Sequence, residues 1–152
     1  MATTLHLRAD ARPECIRVLR NVVASLARGA GLSDVQVYAV KLCVSEAVTN
    51  AVKHAYPESE PGPVEVDVRE VDDELEVVVR DCGRVHRPQP REDRGGFGLA
   101  WIERLTDSCT FTAASGGTTV EMHFPLPRRT AGSGRKTAGR LSPLLSNLCL
   151  WK

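Results

Sequence analysis

Residues 37–56 read Val37-Tyr38-Ala39-Val40-Lys41-Leu42-Cys43-Val44-Ser45-Glu46-Ala47-Val48-Thr49-Asn50-Ala51-Val52-Lys53-His54-Ala55-Tyr56. Val37, Val40, Val44, Ala47, Val48, Ala51, Val52 and Ala55 recur at spacings of three and four, so they share one face of a helix. Ser33-Asp34 ahead of the stretch is a good N-cap pair, and Pro57 behind it cannot continue a helix. The pattern predicts one long helix with its Val/Ala stripe laid on a core. Glu46 lies opposite that stripe. Asn50 follows four residues on and Lys53 seven on, so the three point the same way, with His54 at the margin. The row offers an acidic base, a neutral oxygen ligand and a cation. Charged residues opposite an apolar stripe are also what any surface helix shows. The row gains meaning only from what the rest of the chain sets beside it.

The 152 residues suffice for one domain with a proper core, and the 42% apolar and 26% charged content is ordinary for a soluble globular protein. No apolar run approaches the roughly 18 residues of a membrane span, so no membrane partner is expected. The start, Met1-Ala2-Thr3-Thr4-Leu5-His6, lacks a charged segment followed by an apolar run, so no signal peptide is expected. The five cysteines are scattered without CxxC spacing, and the four histidines show no metal-ligand spacing. A zinc site and a disulfide framework are both disfavoured, and a reducing cytoplasm fits.

The net charge of +1 hides an asymmetry: residues 128–152 hold six Lys/Arg and no Asp/Glu, leaving 14 basic and 19 acidic residues in 1–127, a net of −5. A nucleic-acid-binding domain carries its positive charge on the folded surface. An acidic body with a basic tail argues against direct nucleic-acid binding.

Outward from the helix, residues 3–9 alternate as a short strand, and 11–30 carry Ile16, Leu19, Val22, Val23 and Leu26 on one helical stripe that Gly29 and Gly31 end. Residues 57–63 form a polar, Pro-rich loop. Residues 64–71 and 75–80 alternate with period two around a hairpin turn at Asp72-Asp73-Glu74. Residues 81–96 are a loop, 97–106 a short helix, 108–114 a strand, Ser115-Gly116-Gly117 a turn and 118–124 a strand that Pro125 ends. The order β-α-α-β-β-loop-α-β-β predicts an α+β two-layer sandwich, a mostly antiparallel sheet with helices on one face. The folded domain is expected to span 1–127. The segment 128–140 is rich in Gly, Ala, Thr and Arg/Lys and is expected to be disordered, and the apolar 141–152 is too short to make a core.

Two loops carry chemistry. Asp81-Cys82-Gly83 ends an apolar strand; an ionised aspartate only accepts hydrogen bonds, so it suits the exocyclic amino group of a purine. Gly83 lets the backbone approach a flat base, although Asp-x-Gly is also a common turn. Arg94-Gly95-Gly96-Phe97-Gly98-Leu99 runs straight into a helix. Free N–H groups and the positive end of the helix dipole there suit phosphate, and Arg94 adds charge. The run differs from the G-x-x-x-x-G-K-[ST] loop and follows a loop rather than a strand, so a Rossmann reading fails.

Taken together, Glu46-x-x-x-Asn50 with Ala51 and His54-Ala55-Tyr56, then Asp81-x-Gly83, Gly96-x-Gly98-Leu99 and Gly117-Thr118-Thr119 resemble the GHKL (Bergerat-type) ATP-binding fold. Within it, SEAVTNAVKHAY is similar to the bacterial anti-sigma-factor serine kinases. The resemblance covers about residues 3–127. It implies ATP and Mg²⁺ as cofactors. Asn50 would ligate Mg²⁺ through its side-chain oxygen. Glu46 would be the catalytic base toward a serine hydroxyl of a partner protein. Asp81 would bind adenine with Gly83 beneath it, and Thr118 or Thr119 would support the base. Gly96 and Gly98 would cradle the phosphates, with 85–95 as a lid. The nucleotide-binding set is then Asn50, Lys53, Asp81, Gly83, Arg94, Gly95, Gly96, Phe97, Gly98, Leu99, Thr118 and Thr119.

The sequence departs from the family pattern at Val85, where a second glycine is usual, and in a short lid bearing Pro88 and Pro90. The resemblance further implies two protein partners, a sigma factor and an antagonist of the anti-sigma factor, and relatives suggest a homodimer. The alternative is a non-catalytic ATP-binding switch that only sequesters a partner. A sensor histidine kinase catalytic domain fits less well: the roughly 32 residues before the central helix hold only His6, sited in a strand. A GHKL ATPase of DNA repair or topology would carry a transducer domain.

Overall fold

The computed structural model describes residues 4–85 and 98–127. The expected tail at 128–152, residues 86–95 of the expected lid, and Arg94, Gly95, Gly96 and Phe97 lie outside the described residues.

The first strand, β1 (Thr4–Asp10), leads into α1 (Pro13–Gly29). Pro13 starts this helix where its missing N–H costs nothing, with Glu14 in the first turn and Arg28 in the last, each matched to the dipole. The second helix, α2 (Asp34–Asn50), opens on a capping box. The Ser33 hydroxyl accepts from the Gln36 N–H, and the Gln36 side chain accepts from the Ser33 N–H at 3.0 Å. The periodicity of residues 37–56 predicts a single helix, and the structure divides it. α2 ends at Asn50, and Ala51–Ala55 form a π-helical turn that closes at Tyr56 in extended backbone. Tyr56 precedes Pro57, whose ring disfavours helical backbone at the residue before it.

The remaining elements are β2 (Pro63–Val71), β3 (Glu74–Asp81), α3 (Gly98–Leu105), β4 (Ser108–Ala114) and β5 (Gly117–Pro125). They complete a five-stranded sheet in the order β1-β2-β3-β5-β4, antiparallel at every pairing. The β2–β3 hairpin turns at Asp72 and Asp73, which take φ of 49° and 64° as a two-residue connection between twisted strands requires.

Alternation assigns the two faces of the sheet. Val64, Val66, Val68, Leu75, Val77, Val79, Val120, Met122 and Phe124 point to the helices, where they bury against Leu19, Val23, Val37, Val40, Val44 and Val48. The opposite face is polar around a buried Val78. There Arg69 pairs with Glu76, Arg80 with Asp67, and His6 with Asp67 at 2.7 Å. The expected α+β two-layer sandwich is therefore the observed architecture. No helix among the described residues is long and apolar enough to cross a membrane.

Candidate functional site

The cleft lies where the end of α2 and the π turn meet the ends of β3 and β5. Ala47, Asn50, His54 and Ala55 form one wall; Val79, Asp81 and Arg84, with Phe111, Thr118 and Val120, form the other. Its volume is about 350 Å³, counting the solvent-open mouth. Apolar Ala47, Val79, Phe111 and Val120 with a few polar groups make the kind of lining that takes a flat, partly polar ligand.

Asp81 is the last residue of β3, on the helix-facing side set by Leu75, Val77 and Val79. It faces Thr118 across the β3–β5 ladder. Its carboxylate accepts from the Gly83 N–H at 3.1 Å. Burial pushes the Asp81 carboxyl above its ordinary range, and hydrogen bonds from Gly83 and Thr118 oppose the shift. Asn50 closes α2 on the facing wall. No side-chain hydrogen bond engages its amide among the described residues, so its oxygen is free to act as a ligand. A single neutral oxygen fits Mg²⁺, which keeps most of its shell for water and phosphate oxygens.

The structure sorts the remaining expected residues. Glu46 stands one turn before Asn50, half-buried and outside the cleft lining. Lys53 is exposed and does not line the cleft; His54 does. His54 follows Asn50 by four residues and so stacks over it along the helix; the wider π turn at Ala51–Ala55 carries Lys53, three residues on, further round from that side. Thr118 lines the cleft, whereas Thr119 pairs with Arg80 on the opposite face of the sheet, as alternation demands. Gly83 has a reason internal to the fold. A Cβ there would meet the Ala55 carbonyl oxygen at 2.1 Å, so the glycine lets the loop close on the π turn. Gly98 begins α3, and Leu99 lies within it.

Sequence reasoning missed His54, Arg84 and Phe111 as cleft residues, and the close approach of Gly117 to the Asp81 backbone. Gly117 has φ of +122°, and a Cβ on it would stand 1.9 Å from the Asp81 carbonyl oxygen. The period-two pattern of β4, with Cys109, Phe111 and Ala113 on one face, was the available signal for Phe111.

The profile of the histidine kinase-like ATPase domain matches residues 9–124, which contain every described cleft residue. The chain belongs to this family. Among characterised relatives, the serine-protein kinase RsbW of Oceanobacillus iheyensis is 32% identical over 118 residues, covering 68% of this chain and 75% of the relative. RsbW of Bacillus subtilis is 31% identical over 132 residues, covering 77% of this chain and 82% of the relative. The solved RsbU and RsbW domains of Rv1364c from Mycobacterium tuberculosis superpose with a TM-score of 0.67 at 25% identity, over 86% of this chain and 35% of that longer one. The histidine kinase domain of a blue-light-activated kinase from Erythrobacter litoralis shares the fold, with a TM-score of 0.54 at 22% identity over 78% of this chain and 65% of that one.

Proposed function

We propose that the chain is an ATP-dependent serine protein kinase that phosphorylates an antagonist protein and sequesters a sigma factor. The carrying observation is the convergence of Asn50, Asp81 and Thr118, from α2, β3 and β5, on one cleft. Adenine sits against Val79, Phe111 and Val120, with Asp81 accepting its amino proton. Asn50 would hold a Mg²⁺ through its side-chain oxygen, which would neutralise charge on the nucleotide phosphates. Glu46, one turn along the same helix from Asn50, orients or deprotonates the attacking serine hydroxyl. A cytoplasmic homodimer that binds sigma factor and antagonist in turn belongs to the same reading.

The test is to incubate the protein with Mg-ATP and a candidate antagonist. Phosphoserine should accumulate with the wild type and fall by at least the 10²-fold typical of a lost base with Glu46→Ala. No transfer from the wild type, or an unaffected variant, removes the kinase assignment.

The position of Glu46 outside the cleft lining favours keeping a second reading, in which nucleotide occupancy alone switches partner binding. Partner release by Mg-ATP without phosphoserine would establish it.

A further inference from the structure

We propose that Tyr56 is a positioning residue for nucleotide selectivity: its hydroxyl fixes the segment that presents Asp81 to the base. The proposal rests on the reading of the cleft as a nucleotide site.

Three chain segments meet at that hydroxyl. It donates to the Pro63 carbonyl at 2.7 Å and accepts from the Cys82 N–H at 2.8 Å. Pro63 opens β2, and Cys82 directly follows Asp81. One residue earlier, the Ala55 carbonyl accepts from the Arg84 N–H at 2.7 Å. Residues 82–84 are thus strapped to 55 and 56 at two points that bracket Gly83. Burial raises the Tyr56 phenol above its ordinary range, so it stays protonated and its donor is always present.

The ring is fixed as firmly as the hydroxyl. A Cβ on Gly62 would meet the Tyr56 ring at 2.2 Å, so the glycine leaves the room that the ring fills. The phenol therefore has one placement, and through Cys82 it holds the backbone next to Asp81. Tyr56 does not itself line the cleft. Its effect on a ligand must pass through Asp81 and Arg84, which do.

A carboxylate discriminates between purines only if its acceptor oxygens stand at a set height beside the base edge. It attracts the amino group of adenine and repels the oxo group of guanine at the same position. Loosening the Asp81–Arg84 segment costs ATP its contact and relieves the penalty on GTP. The loss therefore falls on selectivity.

The experiment uses the full chain carrying Tyr56→Phe, which keeps the ring on Gly62 and removes only the hydroxyl. Binding of Mg-ATP and of Mg-GTP is measured by titration calorimetry. Unliganded melting and amide hydrogen exchange are measured alongside. The expected result is a rise of about tenfold in the ATP dissociation constant, the scale of one lost net hydrogen bond. GTP binding should not weaken and should tighten as the repulsion from Asp81 is relieved. Exchange should quicken at Cys82 and Arg84 but not in the middle of β3. An unchanged ATP-to-GTP ratio overturns the proposal. So does an equal loss of both nucleotides with a lowered melting temperature, which is what a merely structural tyrosine gives. A wild type that binds neither nucleotide removes the nucleotide reading itself. Wild-type binding with an indifferent variant removes only the role of Tyr56.

Discussion

Asp81 and Thr118 face each other across the β3–β5 ladder, on the side of the sheet where Asn50 ends α2. The candidate acceptor for a base and the candidate ligand for a metal are thereby set on opposite walls of one cleft, each at the end of a regular element that the core holds in place.

On the proposed reading Asp81 accepts from adenine, and Asp81→Asn presents a donor there instead, so preference for ATP over GTP should shrink. The wild-type carboxyl titrates above its ordinary range because burial disfavours its charge. For a raised carboxyl, stability is fully present below its unfolded pKa and declines as pH rises through the folded value. Recognition of adenine by Asp81, as proposed, uses the ionised form and runs the opposite way, so it should weaken as pH falls through that raised range. The variant should melt no lower than wild type at neutral pH and should lose this pH dependence of binding. Calorimetric titrations across mildly acidic pH check it.

Asn50→Ala should abolish Mg-dependent nucleotide binding while the fold survives, because Asn50 is half-buried and outside the hydrophobic core. Saturating Mg-ATP stabilises a protein that binds it only when folded by about 2.7 kcal/mol at a hundredfold excess over the dissociation constant. That melting shift should appear in the wild type and vanish in the variant. A collapse of unliganded stability would make Asn50 structural instead.

Gly117→Ala places a Cβ 1.9 Å from the Asp81 carbonyl oxygen at a φ of +122°. The backbone strain alone is about 1–3 kcal/mol, and the clash adds to it. Melting should fall by several degrees. Gly116, where an added Cβ meets nothing within 4 Å, is the control; Gly116→Ala should leave stability nearly unchanged.

Asp67 on the polar face behaves oppositely to Asp81. Burial works to raise its carboxyl, but hydrogen bonds from His6 and Arg80 outweigh burial and hold it below the ordinary range. The stabilisation is present above the ordinary carboxylate range and is lost as pH falls through the depressed value. Asp67→Asn should therefore flatten the acid limb of the stability curve, read as melting temperature between neutral and strongly acidic pH.

Burial pushes the Cys43 thiol up to about 12, whereas Cys82 is exposed beside Asp81. A thiol reagent on the native protein should label Cys82 and spare Cys43 until unfolding, because the thiolate is the nucleophile. Bound Mg-ATP should slow the labelling of Cys82. Peptide mass spectrometry reads both.

The amino-acid sequence determined which residue types stand at each element, and with them the layers. The 3.6 and 2.0 periods depend only on side-chain polarity along the chain, so the Val/Ala stripe of α2, the alternating strands and the Asp72-Asp73 hairpin were legible without coordinates. Asn50, Asp81 and Thr118 were singled out only through the joint resemblance of Glu46-x-x-x-Asn50, Asp81-x-Gly83 and Gly117-Thr118-Thr119 to a family pattern, because each motif alone also reads as a surface helix, a turn or a strand start. Only the tertiary structure decided the phase of the side chains at those ends. His54 lines the cleft and Lys53 does not, and β5 turns Thr118 to the cleft and Thr119 away from it. The close approach of residues 82–84 to Ala55 and Tyr56 explains Gly83. That approach joins parts of the chain far apart in sequence, and no local pattern encodes a distance between two segments that meet only when the core closes.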